Sequence, residues 1–117
     1  MGPNGHFPQS LLKNNGNGTF SDVTEEAKIY AEGPTQTAVW FDCDNDGKLD
    51  IAVVNDSTLD HYRNAGGDPM VTLYHQDAGF TFSDITKSAG LSHRGWSMGI
   101  AVGDYDNDGL LDLYVTG

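Results

Sequence analysis

Apolar positions along this chain fall into short runs rich in β-branched and aromatic residues, each bounded by Gly, Asn, Asp or Pro. "TQTAVWF" and "LDIAVV" flank one acidic loop, and "WSMGIAVG" and "LLDLYV" flank a second. "QSLLKNNGNGTFSDVT" and "VTLYHQDAGFTFSDIT" each read as two strands around a tight turn, Asn15-Gly16-Asn17-Gly18 in the first and Asp77-Ala78-Gly79 in the second. The connectors "EEAKIYAEGP" and "KSAGLSHRG" are too short and too broken by Gly and Pro for more than one helical turn. The pattern predicts an all-β chain.

A shift of 62 residues lays Phe20-Ser21-Asp22 on Phe82-Ser83-Asp84 and Asp42 on Asp104, with 14 of 36 positions identical between residues 20 and 55. Internal repetition is therefore the main organising feature. With A and B for the strands before and after the acidic loop and C and D for the following hairpin, the order is C-D (7–24), A-B-C-D (37–86), A-B (97–117). Only the middle set is whole. The outer sets are complementary halves in permuted register, and each would present an open edge of unpaired backbone groups.

The acidic loops carry the chemistry. Counted from the first Asp, each has acids at positions 1, 3, 5 and 9 and Gly at 6: Asp42, Asp44, Asp46 and Asp50, then Asp104, Asp106, Asp108 and Asp112. Alternate side chains of a curled loop converge on one centre, and Gly47 and Gly109 permit the turn. The backbone carbonyls of Lys48 and Leu110, at position 7, are placed to add one more oxygen. An all-oxygen cage of four carboxylates suits a hard cation, Ca²⁺ ahead of Mg²⁺, giving two predicted calcium sites. An EF-hand would need Glu at position 12 and flanking helices; Val53 and Val115 stand there, and strands follow. The competing reading, two solvated acidic turns, leaves four close carboxylates repelling one another by roughly a few kcal/mol per pair.

These residues resemble a known family. "NNGNGTFSDVTEEA" with "AVWFDCDNDGKLDIAVVN", and "TFSDITKSAGL" with "GIAVGDYDNDGLLDLYV", are similar to FG-GAP or VCBS-type repeats, the calcium-loop blades of integrin-α-like β-propellers, most closely the cartilage acidic protein type. The resemblance implies two four-stranded propeller blades, Ca²⁺ in the A-B hairpins, extracellular or periplasmic residence, and an adhesion or scaffolding role. Phe41 stands where the family prefers a small residue before the first Asp, as Gly103 does in the second copy. Two repeats cannot close a propeller of four to eight blades. The expected partner is the chain itself, a homo-oligomer formed by strand complementation: three or four copies in a closed ring, or an open filament if the rotation does not close. An excised piece of a longer propeller is a third reading.

Composition narrows the field without changing this picture. The 117 residues make one domain with a modest core, and 6 Lys and Arg against 17 Asp and Glu give a net charge of −11, against nucleic acid or an anionic membrane as partner. No stretch is long enough to span a membrane, and the N-terminus lacks the features of a secretory leader. Cys43 alone forms no intrachain disulfide and is expected to be filler at loop position 2. His6, His61, His75 and His93 lack transition-metal spacing and read as surface or strand residues. Trp40 is expected in core or inter-blade packing, and Tyr105 in solvent. Asn17 and Asn55 satisfy glycosylation sequons. No nucleophile-His-acid set or phosphate loop is present, so no enzyme activity is expected. The alternatives are a module binding an extracellular protein or glycan through Arg94, Trp96 and Tyr105, or a non-catalytic accessory domain of a secreted enzyme.

Overall fold

The computed structural model describes residues 10–29, 35–55, 68–95 and 98–116. All regular structure in them is β, and no helix occurs among the described residues. The strands are β1 (Leu12–Asn14), β2 (Phe20–Asp22), β3 (Thr35–Phe41), β4 (Asp50–Asn55), β5 (Asp68–Pro69), β6 (Val71–Gln76), β7 (Phe82–Asp84), β8 (Arg94–Gly95), β9 (Gly99–Gly103) and β10 (Asp112–Thr116). They form one four-stranded antiparallel sheet in the order β3-β4-β6-β7, flanked by the pairs β1-β2 and β9-β10. A small bridge, β5 with β8, fastens the segment before β6 to the connector before β9, with the Met70 amide donating to the His93 carbonyl at 2.8 Å.

Both faces of the central sheet are covered, which is why "DIAVVN" reads as a continuous apolar run: all six residues of β4 are buried. Alternation along the strands sorts their side chains between two cores. Ile51, Val53, Tyr74 and Phe82 pack with Ala27 and Ile29, and Leu11 lies against them. Phe41, Ala52, Val71 and Leu73 form the other core, against which Ile85, Leu91, Ile100, Val102, Leu113 and Val115 pack. The β1-β2 side and the β9-β10 side thus lie on opposite faces of one sheet. Three layers are stacked face to face, as in neighbouring propeller blades.

The repeat is as plain in the backbone as in the sequence. Leu12↔Asp22 and Asn14↔Phe20 in the first hairpin correspond, 62 residues on, to Tyr74↔Asp84 and Gln76↔Phe82 in the second. Thr24 Oγ1 accepts from the Leu11 amide at 2.8 Å, and Thr86 Oγ1 accepts from the Leu73 amide at 2.9 Å. Each Thr is in turn fixed by its own Asp two residues back, Asp22 or Asp84. The "FSD-hydrophobic-T" signature is therefore a cross-strand clamp closing the end of each hairpin.

As expected, each connector is a compact single turn, with Ala27 donating to Val23 and Ala89 to Ile85, that does not propagate into a helix. Other expectations change. Trp40 is 49% exposed and outside the core, on the face opposite Phe41, where its ring lies tilted against Phe82 with centroids 6.2 Å apart and lines the cleft toward Leu11, Lys13 and Val23, in keeping with the inter-blade half of the expectation. Asn55 is buried and its amide nitrogen donates to Thr72 Oγ1 at 2.9 Å, so the Asn55 sequon is masked by the fold. Asn17 stays exposed on the first hairpin turn, its side-chain oxygen accepting from Thr19. Trp96, His6 and His61 lie outside the described residues, as does the side chain of Arg94.

Candidate metal centre

Each acidic loop joins two antiparallel strands, β3 to β4 and β9 to β10, so the hairpin fixes where the loop begins and ends. Inside it the chain reverses through two left-handed residues, Asn45 (φ 60°) and Gly47 (φ 84°), repeated as Asn107 (φ 58°) and Gly109 (φ 85°). Asn tolerates this conformation better than other side-chain-bearing residues, and Gly carries no Cβ to clash, which explains N and G at positions 4 and 6.

The first Asp organises the curl. Asp42 Oδ2 accepts from the Gly47 amide at 2.8 Å and Oδ1 from the Asp46 amide at 3.2 Å; Asp104 does the same with Gly109 at 2.7 Å and Asp108 at 3.1 Å. Desolvation pushes the Asp42 and Asp104 carboxyls up, but the amide bonds outweigh it and hold both below the ordinary carboxylate value. Lys48 and Leu110 follow the glycine, their amides donating to Asp46 Oδ1 and Asp108 Oδ1, each at 2.9 Å.

With the loop so folded, Asp42, Asp44, Asp46 and Asp50 each offer a carboxylate oxygen within 4.8 Å of the others, and Asp104, Asp106, Asp108 and Asp112 repeat the arrangement. The structure brings together all eight carboxylates singled out in the sequence. The strain of that crowding shows at Asp106, whose carboxyl is pushed up by desolvation, by Asp104 and Asp108, and by the charge of Asp112. The donors are hard anionic oxygens, and bound charge of the opposite sign would relieve their repulsion, so the residues present fit a metal ion.

Two further contributors were not legible from local spacing. Asp50, fully buried, accepts from the Cys43 amide through Oδ2 at 2.9 Å and from the Gln76 amide on β6 through Oδ1 at 2.7 Å, while Gln76 Nε2 donates to the Leu49 carbonyl. His75, also on β6, sets Nε2 2.7 Å from Asp44 and 3.3 Å from Asp46, with Nδ1 3.2 Å from Asp77. Asp77 and Asp44 hold the imidazole above its ordinary pKa. His75 therefore sets a hydrogen-bonding imidazole against the loop, and any ion held by Asp44, Asp46 and His75 competes for two ligands of the four-carboxylate set. Cys43 is not a reactive thiol: burial, then Asp50, pushes it up to about 12. Tyr105, the equivalent of Cys43, stands in solvent.

A face-covered antiparallel sheet carrying an acidic loop at the turn of each inner hairpin defines a β-propeller-type repeat with metal-ligating capacity. The chain belongs to the FG-GAP-like repeat family: a sequence model of that family matches residues 8–53 and again 42–115. No curated protein matches the chain. No helix of the described residues is long and apolar enough to cross a membrane.

Proposed function

We propose that the chain is a calcium-stabilised, non-catalytic repeat module of the cartilage acidic protein type, working outside the cytoplasm as a structural or adhesion element that assembles head to tail. One observation carries this reading: two four-carboxylate loops whose first Asp makes the same pair of amide bonds, both within the residues matched by the family model. Calcium is favoured because it accepts a large, irregular oxygen shell, to which the Lys48 and Leu110 carbonyls would add backbone ligands. Residence outside the cell belongs to the same proposal, because millimolar calcium surroundings would fill sites that bind at about 10⁻⁴ to 10⁻³ M, as those of extracellular modules do.

Calcium would screen the crowded carboxylates and hold each hairpin closed, making binding free energy part of folding free energy. Thermal unfolding in millimolar calcium and in excess EGTA tests this. The expected result is a melting temperature lower by about 10 °C or more in EGTA, with magnesium restoring little of it. Identical curves would refute the proposal.

A further inference from the structure

Sheet register brings a nitrogen ligand to the first acidic loop from 31 residues away. The pairing of β4 with β6, Ile51↔Tyr74 and Ala52↔Leu73, carries His75 to the loop, where Nε2 lies 2.7 Å from Asp44 Oδ2 and 3.3 Å from Asp46 Oδ2. Nδ1 faces the other way, 3.2 Å from Asp77 Oδ1. An ionised carboxylate only accepts, so Nδ1 carries the hydrogen of that bond, and Nε2 is the ring nitrogen turned to the loop. Asp77 is itself fixed, its other oxygen accepting from the Ser83 hydroxyl on β7. A carboxylate that takes the second ring N–H and aims the imidazole is the usual companion of a metal-bound histidine.

The repeat separates what belongs to the hairpin from what is added to it. In the first copy, 62 residues earlier, Ser21 Oγ donates to Asn15 Oδ1 at 3.1 Å, as Ser83 does to Asp77, so the bond across the hairpin is common to both. Two positions depart. His75 stands where the first copy has Lys13, and Asp77 where it has Asn15. One departure supplies a ring nitrogen, and the other supplies the carboxylate that orients it. Both lie in the four-stranded sheet, on β6 and in the turn that follows it.

We propose that His75 Nε2, Asp44 and Asp46 form a second kind of metal site, for a borderline first-row divalent ion with Zn²⁺ foremost, and that filling it excludes calcium from the first loop. The three side chains each offer a ligand atom, all within 4.8 Å of one another. One imidazole with two carboxylates is a donor set suited to zinc, whereas calcium takes its shell from oxygen. Three protein ligands leave a fourth, tetrahedral position to water, and the Asp44 side chain, 44% exposed, keeps the site open to solvent. Asp46 is prepared for the role: Oδ1 accepts from the Lys48 amide, while Oδ2 is the oxygen turned to His75. Asp42 and Asp50 take no part, each having both oxygens held by backbone amides, so the loop keeps its curl with either ion. The zinc site stands on its own ligands; only the exclusion of calcium rests on the calcium reading above.

Titration of the metal-free full chain with zinc tests the site, read by calorimetry and by the His75 ring nitrogens in long-range proton–nitrogen correlation spectra. Zinc should move Nε2 to the position of a metal-bound nitrogen while Nδ1 keeps its hydrogen. Among variants whose backbone amide spectra show the native fold, His75→Gln should weaken the tightest zinc event more than about tenfold, and Asp77→Asn, which installs the residue of the first copy, about tenfold. His93→Gln, at an exposed histidine on the connector before β9, should leave that event unchanged. In saturating calcium, zinc should reverse the calcium-induced shift of the Gly47 amide and leave that of Gly109 in place. A His75 ring that does not respond, or a zinc affinity that His75→Gln leaves unaltered, overturns the site. Zinc and calcium held together in the first loop overturns the exclusion. Zinc bound at His75 with no calcium response at Gly47 or Gly109 upholds the site and overturns the calcium reading alone.

Discussion

The loops at residues 42–50 and 104–112 share a sequence plan, left-handed turns at the same positions and the same amide bonds to the first Asp, yet they end differently. Asp50 is sealed beneath β6, both oxygens bonded to amides; Asp112 is half-buried at a strand edge, with one. A nine-residue motif is therefore enough to curl the loop and gather its carboxylates. It is not enough to finish the cage, which takes a neighbouring strand. The hairpins teach the same lesson: β1-β2 reproduces the register of β6-β7, but only the latter has its apolar side chains covered.

The widest separation should appear in those hairpins. Phe82→Ala removes a buried ring that packs with Ala27, Ile29 and Tyr74 and should cost about 3–5 kcal/mol by chemical denaturation. Phe20→Ala, at the matching place, should cost within about 0.5 kcal/mol in dilute chain. A large Phe20→Ala effect that grows with protein concentration would mean that another copy covers the ring.

The loop ends come next. Asp50→Ala leaves the Cys43 and Gln76 amides without their acceptor, at a cost of about 1–3 kcal/mol even without calcium, whereas Asp112→Ala frees one partly exposed amide and should cost less than about 1 kcal/mol. Equal costs in calcium-free urea melts would mean that Asp112 is held as firmly as Asp50.

The smallest effect concerns His75. Asp77 and Asp44 raise its pKa in the folded chain above 6.5, so in metal-free protein its stabilising contribution is complete below about 6.5 and is lost as pH rises through the raised value. His75→Gln should flatten that slope while leaving stability on the alkaline side nearly unchanged. A slope of opposite sign would mean the imidazole does not face Asp44 and Asp77.

Period-two runs, turn residues and the 62-residue self-match make the strand order legible in the sequence, because hairpins are local and their turn chemistry is explicit. The gathering of Asp42, Asp44, Asp46 and Asp50 is legible for the same reason: every ligand lies within one turn of chain. What local reading misses comes from sheet register. His75 is 31 residues from Asp44, and the Gln76 amide 26 from Asp50, and only the β4-β6 pairing brings them together. Trp40 is legible only in part, because a large aromatic in an apolar run suggests either a core or a contact between blades, and strand alternation, which needs the register, turns it to the less covered face toward Leu11 and Val23. The Asn55 sequon fails likewise, since a three-residue pattern carries no information about the strand beside it.

Calcium held in both loops is the claim on which the rest depends. The most direct measurement follows the backbone amide resonances of Gly47 and Gly109, each bonded to the first Asp of its loop, by nuclear magnetic resonance during a calcium titration of the full chain. Both should shift and saturate at millimolar calcium, Gly47 earlier because its loop is already sealed by β6. Two glycine signals that stay in place while calcium is raised well beyond that range would contradict the account.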